Sequence, residues 1–488
     1  MKNCFKYGWF FFVLVLFCSC ADEKFTTDGN KQLSFSATAL SFDTIFASVP
    51  SPTKTFKVYN RNKKALKISS IELEKGANSY FRMNVDGTIP PPENYVQDVI
   101  LKANDSLYIF VEVTVEEQNS NVLTFIEDAV VFTTNGQQQK VSLTAHSQDV
   151  VVLNKKVIAN DTTFTSEKPY LIYDYLKIAK GKKLTLEAGA KLYFHQDADL
   201  IIDGNFVAEG TYEKPILLRG DRLDRINDTA ETPYAYLPGQ WGSVYLNWEN
   251  GNHVMKNVSI IGATNGILIS GTSSIRPKLN VENTTIHSCL QHGIYSQNSD
   301  ITITNTEISN CGTTCLNVLG GNTTAVHCTF ANYYEWGSTT EISAVLISNH
   351  KTNGNWDNLM PVYSSVFQNC IIAGNQKKAL VLKQDTISNS SSVFNIYFDH
   401  CYIKSPEIKG SDFKNNIFSS VSSTDEKIFK NTSISDIKTT GYYDFTLHSS
   451  SAACDKANSK VSELYDTDKN NYNRFADGKP DIGAYEYH

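Results

Sequence analysis

The sequence predicts an all-β protein in which a two-sheet sandwich precedes a long solenoid of parallel strands. Three observations carry that prediction. Between Lys256 and Phe418 a short motif recurs, as MKNVSIIG, VENTTIHS, ITNTEISN, AVHCTFAN, FQNCIIAG, FDHCYIKS and FKNNIFSS. Each copy sets a polar residue three positions before an Ile or Phe. The polar positions are Asn257, Asn283, Asn305, His327, Asn369, His400 and Asn415; their partners are Ile260, Ile286, Ile308, Phe330, Ile372, Ile403 and Phe418. A second apolar motif follows the first, as GILIS, GIYSQ, CLNVL, AVLIS and ALVLK. Upstream, residues 33–148 instead alternate apolar and polar with a period of two, as at Leu107, Ile109, Val111, Val113 and Val115.

Burial explains the solenoid. A coil of roughly 22 residues cannot bury its own apolar face, so it stacks on the next and like residues land on like. The Ile and Phe positions are expected to form inward columns. The polar positions, His327 and His400 included, are expected to form an inward ladder bonded to its own turns. Cys328, Cys370 and Cys401 fall one residue after the polar position, and Cys289 and Cys311 six after it. Cysteine is small and readily buried, so stacked free thiols are expected there. A Cys311–Cys315 or adjacent-rung disulfide is the alternative. These repeats resemble the pectin-lyase-like superfamily, in the broad form found in bacterial surface proteins. The resemblance implies a right-handed parallel β-helix over residues 150–448.

The chain has 488 residues, 41% hydrophobic and 19% charged, with a net charge of −7. No basic run marks it for nucleic acid. Lys2 and Lys6 precede the apolar run WFFFVLVLF, the pattern of a secretory signal over residues 1–20. That run is short for a membrane span. It closes on Leu16, Phe17, Cys18, Ser19 and Cys20, which resembles the lipobox of bacterial lipoproteins. The resemblance implies cleavage before Cys20, lipidation of its thiol and a membrane anchor of several acyl chains. A plain secretory signal is the alternative. Asp22 and Glu23 resemble the surface-export signal of lipoproteins from some Gram-negative anaerobes, which implies the outer face of the outer membrane. Residues 21–32 read as a tether.

Over 33–148, turns at Asp86-Gly87, Asn104-Asp105 and Asn135-Gly136 separate about seven short strands, as in a two-sheet sandwich. The passages TFKVYNRNKKALKISSIEL and FTTNGQQQKVSLTAH resemble the Ig-like domains related to the ASPM and hydin proteins, which implies a spacer or binding platform. The first coils follow, with Gly181, Gly189, Gly204 and Gly210 at expected corners. Residues 221–239 form a polar loop. Residues 449–488 end in DIGAYEY and resemble the C-terminal end of many secreted bacterial β-helix proteins. They read as the last coil and cap, since an open solenoid end exposes an unpaired edge. Five Asp-Ser/Thr strings, such as Asp43-Thr44 and Asp105-Ser106, resemble an O-glycosylation signal of anaerobic Gram-negative bacteria.

No catalytic constellation stands out. Hydrolases with this fold need two or three carboxylates, and the chain has no adjacent Asp pair. Gln291-His292-Gly293 and Arg276-Pro277-Lys278 echo polygalacturonase motifs in reversed order. Acids in the central coils are scattered, and zinc spacing is absent. Asp466, Asp468 and Asn470 have the one-three-five spacing of a Ca²⁺ loop, though position six is Asn471 and position twelve Asp477. Tyr333, Tyr334, Trp336 and Trp356 lie in long insertions and are the candidate contacts for a sugar, since Trp and Tyr offer large amphipathic faces. Two functions follow: a surface lipoprotein that binds a polysaccharide or a surface protein without catalysis, or a polysaccharide lyase or glycoside hydrolase with a divergent site on the same loops.

Overall fold

A computed structural model describes residues 25–91, 95–226, 232–272, 274–337, 342–350, 359–385, 393–420, 427–440 and 442–488. The chain divides into two compact units, Met1–Asp149 and Val150–His488.

The first unit is a two-sheet sandwich. One sheet orders Ser34–Phe35, Lys54–Tyr59, Ser106–Val113 and Phe81–Val85; the other orders Ala39–Phe46, Gln137–Gln148, Thr124–Thr134, Leu66–Leu73 and Tyr95–Leu101. The period of two explains it. Leu107, Ile109, Val111 and Val113 point inward and are buried, while Tyr108, Phe110 and Glu112 point out. Rings from the two sheets meet, with Phe56 and Phe132 centroids 6.1 Å apart and Phe42 and Phe81 5.7 Å apart.

The second unit is a solenoid whose 26-stranded sheet winds on itself. Its central coils present three faces. Face A stacks Trp241–Leu246, Ala263–Ser270, the first halves of His292–Thr304 and Thr314–Val326, then Ser343–Ser348 and Leu380–Lys383. Face B stacks Asn252–Lys256, Lys278–Glu282, the second halves of the same two long strands, Val362–Gln368 and Phe394–Asp399. Face C stacks Val258–Ile261, Thr285–His287, Glu307–Ser309, Thr329–Asn332, Ile371–Gly374, Tyr402–Lys404 and Ile417–Ser419. All these pairings are parallel; faces A and B carry register shifts at Ser243/Val244, Gly321/Asn322 and Val362/Ser365, while face C keeps its register, so Ile260, Ile286, Ile308, Phe330, Ile372 and Ile403 form one buried column. Phe367, Phe398 and Phe413 stack at 4.8 and 5.0 Å. Each buried side chain of this size is worth about 1.5–3 kcal/mol.

The polar repeat has a different role from the expected inward ladder. Asn257, Asn283, Asn305, His327, Asn369, His400 and Asn415 all have φ between 44° and 54°. They form the left-handed corner between faces B and C, a conformation that Asn and His accept more readily than most residues. Three of the side chains bond the final segment, Asn305 to the Thr467 carbonyl, His327 to Ser462 and Asn369 to the Asn458 carbonyl, and one rung of a ladder joins Asn369 Nδ2 to His327 Nε2 at 3.0 Å. The stacked cysteines do face inward: Cys328, Cys370 and Cys401 are buried and free, as are Cys289, Cys311 and Cys315.

Residues 449–488 also depart from expectation. They add no strand to the large sheet and lie along the outside of face C. The reason is apolar. Ala331, Ile371, Ala373 and Tyr402 point outward from face C, and Ile428, Phe429, Phe445, Leu447, Ile482, Ala484 and Tyr485 cover them. An end cap would leave that flank in water. DIGAYEY docks residue by residue. Asp481 accepts from the amides of Asp455 and Tyr487 at 2.6 and 2.7 Å. Gly483 donates to the Asn369 carbonyl at 2.9 Å. Its φ is 110°, and a Cβ there would stand 2.7 Å from Ile371 Cδ1, so glycine is required twice over. Ala484 N donates to Thr329 Oγ1 at 3.0 Å, Tyr485 Oη donates to Glu307, and Glu486 accepts from Arg474.

Candidate functional site

Face A carries an open groove at its later coils. Two strands build its floor. Ser343–Ser348 sends Val345 and Ile347 into the core and Leu346 out; Leu380–Lys383 sends Leu380 in and Val381 out. Leu346 and Val381 are register partners, so two apolar side chains sit side by side. The strands are tied to face C, with Asn332 Nδ2 donating to the Ser343 carbonyl at 2.9 Å. The turn Asn375, Gln376, Lys377, Lys378 stands exposed beside this floor.

The result is a hollow of about 700 Å³. Ile342, Leu346 and Val381 form its apolar part; Thr313, Thr314, Ser343, Asn375 and Gln376 supply hydroxyls and amides; Lys377, Lys378 and Lys383 supply positive charge. Among the described residues no carboxylate lines it. A second hollow of about 470 Å³ shares Lys378 and Val381, and adds Pro406, Glu407, Ile408 and Lys409 from the next coil. Two neighbouring coils thus bring four lysines to one groove.

The aromatic candidates are placed elsewhere. Tyr333 is 6% exposed and packs against Phe429 and Phe445 at 6.0 and 6.2 Å, so its ring serves the flank core. Tyr334 is 7% exposed and burial pushes its hydroxyl up. Neither presents a face to a sugar. Trp336 is half-buried beside Tyr443. Trp356 and Cys20 lie outside the described residues. The Ca²⁺ reading of the 466–470 loop meets a donor set already in use. Asp468 is 2% exposed; its Oδ1 accepts from the amides of Asn470 and Tyr472 at 2.8 Å each, and its Oδ2 accepts from Glu486 N at 2.9 Å. Asp466 serves through its carbonyl, which accepts from Arg474 N. No group of three or more His, Cys, Asp or Glu is set to hold a metal among the described residues.

Two other polar clusters stand out. On face C, His287 Nδ1 lies 2.6 Å from Ser309 Oγ, which donates to Glu307 Oε1 at 2.6 Å. Ser309 therefore accepts from His287, which fixes the Nδ1–H tautomer. Glu307 bonds the serine rather than the histidine, and rings of Tyr236 and Tyr443 roof the imidazole at 5.2 and 4.6 Å. Burial holds His287 down at about 3. This is a sealed structural relay. At the first coils, His195 Nδ1 lies 2.7 Å from Asp221 Oδ2, and the Tyr173 ring is 4.7 Å from the imidazole. Here the histidine side chain is 51% exposed. Burial, then the Asp221 charge, pushes the Tyr173 hydroxyl up.

Sequence reasoning missed the lysine groove. Its signal was the NQKK turn directly before the strand ALVLK, a paired cation at a coil corner.

Residues 244–418 match the family model described as "Right handed beta helix region". The match covers the central coils and supports a place in the parallel β-helix superfamily. A comparison with curated proteins finds no match. Among solved structures, a family 123 glycoside hydrolase from Clostridium perfringens, described for glycolipid glycan hydrolysis, aligns at 6% identity and TM-score 0.19. That alignment covers 28% of this chain and 30% of the hydrolase. The ASH / PapD-like domain 7 of human CEP192 aligns at 9% identity and TM-score 0.17, over 25% of this chain and 87% of that domain. This chain thus spans less than a third of the hydrolase, and at these TM-scores neither likeness bears on its fold or activity.

Proposed function

We propose that the protein is a surface-exposed lipoprotein whose β-helix binds a glycan or a protein partner without transforming it. The face A groove carries the reading: an apolar floor, a rim of hydroxyls and amides, and lysines around it. Cleaving a glycosidic bond calls for two carboxylates placed across the bond, and among the described residues Glu407, on the second hollow, is the one acid that lines either. Cys20 carries the lipid in this reading, and Asp22 and Glu23 direct the chain to the exterior of the outer membrane. The sandwich is an Ig-like spacer, and the DIGAYEY end is the type found in secreted β-helix proteins.

A second reading, a lyase or hydrolase acting on carbohydrate, draws on one observation. Asp221 holds the His195 ring so that Nε2 is left as the acceptor, the arrangement of a general base. The experiment is a glycan array probed with the lipid-free chain, followed by assay of any bound glycan for new reducing ends and unsaturated sugars. Binding without products is expected. New ends or unsaturated sugars, lost in His195→Ala, would replace the first reading with the second.

A further inference from the structure

We infer that the end of the sandwich nearest Cys20 rests on an anionic lipid surface, where Lys31, Arg61, Lys63 and Lys64 meet phosphate-bearing headgroups. The inference rests on the lipid anchor proposed above and names the part of the chain that faces the membrane.

The start of the described chain is the first argument. It opens at Phe25, five residues after Cys20. The leading segment is bonded to the sandwich. Phe25 bridges to Ala65, and Thr26 N donates to the Ala65 carbonyl at 3.1 Å. Asn135 Nδ2 donates to the Asp28 carbonyl at 3.0 Å, and Asn62 Nδ2 to the Gln32 carbonyl at 3.2 Å. Five residues reach at most about 18 Å even when fully extended. Acyl chains on Cys20 would therefore keep the lipid surface within that distance of Phe25 and of the turn it touches.

Charge is the second. The strand registers gather the loops 60–65, 102–105 and 135–136 and the Asp86-Gly87 turn at this same end. With the leading segment they carry Lys31, Arg61, Lys63, Lys64 and Lys102 against Asp28, Asp86 and Asp105. Glu116, Glu117 and Asp149 stand at the opposite end. The sandwich of an acidic chain is thus polarised along its strands, and basic where the anchor attaches. The side chains of Lys31, Lys63 and Lys64 are exposed and make no ion pair or hydrogen bond among the described residues. Arg61, also exposed, lies over the Tyr59 ring at 4.8 Å. Asp28 and Asp105 are engaged in their own turns, accepting from the amides of Asn30 and Ser106 at 2.9 and 2.8 Å. A negative membrane surface attracts cations that lie within a Debye length of it, and an ammonium meets phosphate as a point charge.

Phe25 is the third. Its ring is 40% exposed beside these cations, and an aromatic ring flanked by cations suits the headgroup boundary. A protein partner would have to reach an end that the anchor already sets against lipid. The acyl chains supply the affinity in this arrangement, and the basic end supplies orientation.

The test uses the chain from Ala21, without lipid, and vesicles of phosphatidylcholine alone or of phosphatidylcholine and phosphatidylglycerol in equal parts. Co-sedimentation at low salt should be roughly fivefold greater or more with the anionic vesicles, and should fall as salt rises. Lys63→Glu with Lys64→Glu should remove most of that preference with an unchanged thermal transition. Lys31→Gln with Arg61→Gln is an independent check. Phe25→Ser should weaken binding at unchanged charge, which a purely ionic contact would not show. Lys75→Glu, at the opposite end, should leave binding as it was. Equal partition onto both vesicles would overturn the inference, as would a preference untouched by both cation variants, or duplex DNA bound as tightly as the anionic vesicles. The mass of the mature N-terminal peptide from membrane-extracted protein keeps the two readings apart. An unmodified Cys20 would sink the lipoprotein and this inference together; an acylated Cys20 with equal partition would sink this inference alone.

Discussion

Arg474 donates from its guanidinium to the side-chain oxygen of Asn305 at 3.0 Å, across 169 residues of chain. The same guanidinium pairs with Glu486, and Arg474 is fully buried. One arginine thus ties the final segment to a corner of a central coil. Removing one partner of a buried ion pair costs about 3–5 kcal/mol, because the other charge is left unpaired. Arg474→Ala should lower stability by that order. Limited proteolysis should then cut within residues 449–488 first, while the far-ultraviolet signal of the β-helix persists. Simultaneous loss of the whole fold would contradict a separately docked segment.

Gly483→Ala tests the same contact from the other side. The new Cβ would meet Ile371 Cδ1 at 2.7 Å and Thr329 Oγ1 at 3.0 Å, in a backbone conformation that alanine resists. Overpacking and strain together predict a loss of about 2 kcal/mol in denaturant titration. Alanine at Gly478, where a Cβ would meet nothing within 4 Å, is the control for φ alone.

Asn283 offers a probe of the corner itself. Its φ is 49°, and its side-chain oxygen has no hydrogen-bond partner among the described residues. Substituting Val should cost about 1–2 kcal/mol, since a β-branched side chain opposes the left-handed region. Asn283→Gly should be tolerated much better. Equal losses would mean that the amide, rather than the backbone, holds the corner.

Stability should fall in acid. Burial pushes His253 down to about 4 and His287 to about 3, and His327 well below its usual range. Each binds a proton near pH 6.5 when unfolded and stays neutral when folded. The unfolded state therefore holds more protons below 6.5, and each histidine removes about 1.4 kcal/mol per pH unit until its folded value is reached. Glu486, whose carboxyl burial raises against the pull of Arg474, works in the opposite direction, favouring the folded state as pH falls. Burial likewise holds His292 down at about 4, and it pushes the Asp199 and Asp481 carboxyls up, which adds to the opposing side; the four histidines leave a net decline between pH 6.5 and 4. Denaturation midpoints across that range check the sign; a flat profile would refute it.

How far these features were readable beforehand differs by residue. The Ile and Phe columns were legible because stacking forces one position of every coil into the core, and the repeat shows it directly. The left-handed corner was half legible. Asn, His and Asn again at one position signalled a constraint on the residue type, but a buried amide ladder and a positive φ both select asparagine. The flank was legible in principle. Cys370, Ile371, Ile372 and Ala373 are apolar without alternation, the mark of a strand covered on both sides. Nothing local in the sequence says that Ile482 and Tyr485 provide the cover. The groove was the least legible, because Lys378 and Lys409 meet only through the coil-to-coil register. Tyr333 misled for a related reason: an aromatic residue in an insertion looks like a ligand contact until the element lying over it is known.

The thiols supply another test. Cys289, Cys311, Cys315, Cys328, Cys370 and Cys401 are sealed in the core as free thiols, and burial, reinforced by nearby acids, pushes half-buried Cys454 up to about 12. Only thiolates that reagent can reach react quickly. A folded chain lacking residues 1–20 should stay nearly silent to a thiol-reactive dye and release these seven thiols on unfolding without reductant. A shortfall of two would reveal a disulfide.

The docked final segment sets an order of events during synthesis. The coils bearing Ala331, Ile371 and Tyr402 leave the ribosome well before Ile482 and Tyr485, which cover them. Until the last residues emerge, those coils carry an oily strip that water must wet. A chain released early would keep that strip for good, and would be marked by it for capture by chaperones or proteases.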